Sequence, residues 1–252
     1  MNNTTPIKAL TAALLLTFGF TLTANAAPVT KGTTEMTKQT VSDTLSARQQ
    51  AIPLIAASMA SSQMDKLSSS LNQGLDAGLT ITETKEILVQ LYAYTGFPRS
   101  LNALNELMKV VDTRKQHGIK DAEGKEPTLP APTGDELRRV GTENQTKISG
   151  APVLGPLFDF APVINQFLQT HLFGDIFSRD SLDWQSRELA TVGALAATPG
   201  VEAQLLSHIR ASMRGGLTAA QLRQLVEALR EHGENDAAIR AEKALQQALA
   251  SK

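Results

Sequence analysis

The chain has 252 residues, 24 of them basic and 25 acidic, with four histidines and no cysteine. Balanced charge with no basic patch interleaved with aromatics excludes a nucleic-acid footprint. The absence of cysteine excludes disulfides, thiolate metal sites and any thiol redox cycle. Aromatic residues make up only 4%, and the frequent alanine, leucine, glutamine and glutamate favour helix, so an all-α protein is expected.

In chain order, Lys8 precedes an apolar run from Ala9 to Phe20, and Ala24-Asn25-Ala26 offers the small residues that a signal peptidase reads. Residues 1–26 are therefore expected to be a signal peptide cleaved before Ala27. The apolar run falls short of the roughly 20 residues that span a bilayer, so no stable membrane anchor is expected. The product is expected to be periplasmic or secreted. Residues 27–42 are polar, without apolar periodicity, and read as a flexible leader.

From Asp43 the pattern becomes helical. Leu45, Ile52, Leu54, Ile55 and Met59, then Met64, Leu67, Leu71 and Leu75, predict two amphipathic helices. The second ends at Gly78, and Thr80 with Glu83 forms a capping-box pattern that opens the next helix. That helix carries Ile87, Leu88 and Leu91 into Tyr92-Ala93-Tyr94-Thr95-Gly96-Phe97-Pro98, where glycine and proline break it before another begins at Arg99. From His117 to Gly134 the chain is rich in Gly, Pro, Lys and Glu, marking the best internal boundary. A short polar helix over 135–145 precedes a phenylalanine-rich stretch from Phe158 to Phe177, read as core or subunit interface.

The first pattern then recurs. Gly216-Leu217-Thr218 repeats Gly78-Leu79-Thr80, and Gln221 follows Thr218 as Glu83 follows Thr80. Two copies of a helical unit that cannot bury its own face alone are expected to pack about a pseudo-twofold axis. The first copy spans 43–116, a linker 117–150, and the second copy with a final helix 151–252.

Four strings carry a family resemblance. Tyr92 to Arg99 follows a capped helix; Arg187-Glu188-Leu189-Ala190 precedes His208-Ile209-Arg210-Ala211; and Gly215-Gly216-Leu217-Thr218 closes the unit. Together with His171-Leu172-Phe173-Gly174-Asp175-Ile176 they resemble the carboxymuconolactone decarboxylase family over roughly residues 45–230. The resemblance implies two tandem copies of an antiparallel helical unit with the alkylhydroperoxidase D-like fold. It also implies rings of subunits, with a trimer favoured for a two-copy chain. In the thiol branch of that family two cysteines precede the histidine, and counting back from His208 those positions hold Val201 and Gln204. Neither forms a thiolate, so the peroxidase cycle is excluded.

The copies differ at the positions that matter for chemistry. Gln50 stands where the second copy has Glu188, and Ser70 where it has His208. One site per chain is therefore expected, with His208 moving a proton and Glu188 orienting its imidazole. Arg187 or Arg210 would grip a substrate carboxylate, and Tyr94 would supply a hydroxyl. No cofactor and no metal are expected, because the histidines share no ligand spacing. Two readings stand open. One is a lyase, isomerase or hydrolase acting on a small carboxylated lactone or related organic acid. The other is a non-catalytic exported helical module that binds or assembles.

Overall fold

The computed structural model describes residues 43–130 and 132–251, and the signal-peptide and leader expectations lie outside them. Those residues are helical, with no strand among them. In the first copy α1 (Ala47–Ala60), α2 (Met64–Asp76), α3 (Ile81–Gln90), the single turn α4 (Tyr92–Thr95) and α5 (Phe97–Gln116) follow one another closely. After a loop come α6 (Gly134–Ser149), α7 (Pro156–Phe160), α8 (Pro162–Phe167) and a wide π-helical segment, Leu168–Ile176. The second copy is α9 (Trp184–Ala197), α10 (Glu202–Arg214), α11 (Ala219–Glu231) and α12 (Asn235–Ala250).

An offset of 138 residues, set by Thr80 and Thr218, carries α2 onto α10 and the start of α5 onto the start of α12. The capping boxes are local causes of this match. Thr80 accepts from the Glu83 amide and Thr218 from the Gln221 amide, while the Glu83 and Gln221 side chains accept from the cap amides. At α3 two further first-turn donors are met from the loop, Ile81 N–H by the Ala122 carbonyl at 2.9 Å and Thr82 N–H by Glu123 at 2.8 Å. The loop after α5 is thus tied to the first copy.

The centre of the molecule is α1 packed on α9, one helix from each copy. The expectation that α1 is amphipathic is corrected here. It is buried on nearly every side, at Ala51, Ile52, Ile55, Ala56, Ala57, Met59 and Ala60, because α9 covers the face that a surface helix would leave in water. The backbones touch: a Cβ on Gly193 would lie 2.5 Å from the Pro53 carbonyl oxygen, so only glycine fits at this crossing.

The phenylalanine-rich stretch divides between two fates. Phe173 and Phe177 are buried with Leu172, Ile176, Ile148 and Ala211 in a second, smaller core. Phe160, Phe167, Leu157, Val163 and Ile164, on α7 and α8, are exposed to solvent. The second core seats α6 and the π-helical segment on α10, over the face where the resemblance puts the site.

Candidate active site

Glu188 and His208 come together through the hairpin of α9 and α10. Asp183 caps α9 by accepting from the Ser186 amide at 2.9 Å, which fixes the rotation of the helix and turns Glu188 inward. His208 Nδ1 and Glu188 Oε2 lie 2.9 Å apart, with the glutamate buried and the imidazole mostly so. The other imidazole nitrogen, Nε2, makes no hydrogen bond among the described residues. Nδ1 is thus taken up by Glu188, and Nε2 is without a protein partner among the described residues.

The first copy supplies the third side chain. Gly96 holds φ +86°, a conformation that glycine adopts freely, and so ends the short turn α4 that presents Tyr94. The Tyr94 ring meets His208 edge-on, with centroids 5.3 Å apart at 83°. Burial, reinforced by the Glu188 charge, pushes the Tyr94 phenol far above its ordinary pKa, so it stays protonated. Its hydroxyl lies near Thr191 but finds no hydrogen bond of normal geometry. The Thr191 hydroxyl already donates to the Arg187 carbonyl and accepts from Gln90, each at 2.9 Å. Glu188 Oε1 is also buried without a partner. Both side chains that touch the imidazole thus carry an unsatisfied polar atom, which is unusual in a protein interior.

Arg187 is not part of this cluster, which corrects the expectation that it grips substrate. It is fully buried on the far side of α9, since successive helical residues turn by about 100°. Its guanidinium donates to Glu86 at 3.1 Å, to Gln90 at 3.1 Å and to the Arg179 carbonyl at 2.9 Å. Arg179 in turn holds both oxygens of Glu86, at 3.0 and 2.6 Å. Burial penalises the Glu86 charge, but Arg179 and Arg187 outweigh it and hold the carboxyl below the usual range.

Arg210 follows His208 by two residues, about 200° around α10, and makes no contact with the Glu188–His208 pair among the described residues. Arg210 and Arg214, one turn apart on α10, line a cavity of about 290 Å³ with Met213, Ala248 and Ser251. Arg210 donates only to the Ser251 hydroxyl at 3.1 Å, and Arg214 only to the Ile148 carbonyl at 2.8 Å. Neither has a carboxylate partner among the described residues. Burial, then the charge of Arg210, holds Arg214 below its ordinary pKa, while Glu188 pulls the other way. Arg214 therefore sits within electrostatic reach of the Glu188–His208 pair. It was missed in the sequence, although its spacing of four from Arg210 was the available signal. Among the described residues no group of three or more acidic or histidine side chains is arranged to hold a metal.

Comparison with known proteins bears on the family of the chain. The chain is 32% identical over 97 residues to a 4-carboxymuconolactone decarboxylase of Acinetobacter baylyi, an alignment that covers 36% of this chain and 72% of that protein. The family model for the carboxymuconolactone decarboxylase family matches residues 27–108 and again 162–247, one match to each helical copy. With both of its copies matched, this chain belongs to the carboxymuconolactone decarboxylase family.

Proposed function

We propose that the protein is a cofactor-free lyase or isomerase acting by proton transfer on a small carboxylated lactone or related organic acid. The observation that carries this reading is the 2.9 Å contact from His208 Nδ1 to buried Glu188, with the Tyr94 ring, whose hydroxyl is unpaired, edge-on to the imidazole. Glu188 fixes the orientation of the imidazole. Arg214, within electrostatic reach of Glu188, holds a substrate carboxylate by charge-assisted hydrogen bonds, with Arg210 beside it in the same cavity. Tyr94, a phenol that keeps its proton, donates to the lactone carbonyl oxygen.

In a decarboxylation the carbon–carbon bond to a carboxylate breaks and carbon dioxide leaves. The electron pair passes into the unsaturated lactone, and the Nε2 proton of the imidazolium is delivered to the distal carbon. His208 regains its proton from water. Migration of a double bond uses the same imidazole first as base and then as acid.

The test is turnover on a panel of small carboxylated lactones. His208→Gln and Glu188→Gln should each lower kcat by about 100 to 10,000-fold, the usual contribution of a positioned acid or base, without altering the circular dichroism. Arg214→Gln should chiefly raise KM. A panel on which wild type and variants are equally inert would instead support a non-catalytic binding module.

We propose further that the chain is exported after cleavage before Ala27, and that it assembles into a homo-oligomer, a trimer by preference. The exposed apolar side chains of α7 and α8 support assembly through that arm. Intact-mass measurement of the secreted or periplasmic product should give a first residue of Ala27; a mass that includes residues 1–26 would refute export by this route.

A further inference from the structure

The constant offset between the copies gives the Glu188 site a counterpart. Glu188 answers to Gln50, His208 to Ser70 and Tyr94 to His232. The structure brings these positions together too: His232 Nε2 lies 3.0 Å from the Ser70 hydroxyl, and Gln50 and His232 line one cavity of about 350 Å³. The two places have different fates. The chain between the copies packs α6 and the π-helical segment over the α10 side only, and the counterpart stays open.

What lines the open cavity is rich in acceptors. Gln50 spends its Nε2 on the Leu45 carbonyl at 2.9 Å, which leaves its Oε1. The Gln73 amide and the Glu231 carboxylate make no side-chain hydrogen bond or ion pair among the described residues. Ala51, Leu54 and Ala228 supply apolar lining. The charged groups around it are few. Lys66 is paired with Glu234 at 2.7 Å behind His232. Burial and the nearby Lys66 charge hold His232 below its ordinary pKa, so at neutral pH it is uncharged. Among the described residues Glu231 is the one acidic side chain on the cavity wall, and it has no counter-ion.

We propose that this cavity is a second binding site, for a small molecule bearing an ammonium group that sits on Glu231, with further N–H or O–H donors meeting Gln50 Oε1 and Gln73. Its preference is opposite to that of the Arg210–Arg214 cavity, which suits carboxylates. It does not depend on the catalytic reading.

The experiment is an NMR titration of the full chain with 2-aminoethanol, following the His232 imidazole and the Gln73 side-chain amide. Saturable shifts at both, with a Kd of about 1 to 10 mM for so small a probe, are expected. Glu231→Gln should weaken binding at least tenfold, and Glu188→Gln should leave it unchanged. No saturable shift, equal response to acetate or glycerol, or undiminished binding by Glu231→Gln would each overturn the proposal. Glu231 is exposed, so its substitution does not threaten the fold.

Discussion

Glu86 is a carboxylate inside a protein, tolerated because two guanidiniums converge on it. Removing it leaves Arg187 charged, fully buried and without a counter-ion, a situation that costs about 3 to 5 kcal/mol. Glu86→Gln should therefore lower the thermal midpoint by many degrees in a calorimetric scan; a change within a degree or two would mean that Arg187 reaches water when its partner is lost. This cluster also marks the limit of what could be read from the residues. Glu188, His208 and Tyr94 were singled out through the family resemblance and the comparison of the two copies, and the structure brings the three side chains together. Arg187 was misassigned because adjacency in sequence is not adjacency in a helix, where the next residue turns about 100° away. Its true partner, Glu86, lies about a hundred residues earlier, and no local pattern connects them.

At the scale of elements, periodicity located the helices of both copies well and failed where burial was two-sided. The α1 pattern reads as amphipathic only if one face is left to water, and nothing local foretells that α9 will cover it. The phenylalanine-rich stretch is a second such case, since composition alone does not separate Phe173, which is buried, from Phe160 and Phe167, which are not. The exposed pair, with Leu157 and Ile164, makes α7 and α8 an apolar arm. If that arm joins subunits, Phe167→Asp should give monomers by light scattering, because a carboxylate would have to be desolvated at the contact. An unchanged mass would move the interface elsewhere.

For the whole molecule, pH links the two halves. His232 has a folded pKa below the unfolded value near 6.5, so the unfolded chain takes up its proton first as pH falls. Glu86 acts in the same direction at lower pH: its folded pKa lies below the unfolded one, and its contribution is lost as pH falls through the folded value. Stability should thus decline on acidification below about 6.5. Denaturant titrations of His232→Gln should show a shallower decline between pH 7 and 5; an identical slope would assign the effect to the carboxylates alone.

The contact of Gly193 with Pro53 has a consequence for the duplication itself. Each copy keeps its most apolar helix against that of the other, backbone to backbone, so neither has a finished interior by itself. The half is the unit that was copied, yet the whole is the unit that folds. Separated from its partner, either half would bare the helix that now lies at the centre. Substitutions accumulated in one half are therefore screened through the other, and the two could diverge at their pockets only while α1 and α9 kept pace with one another.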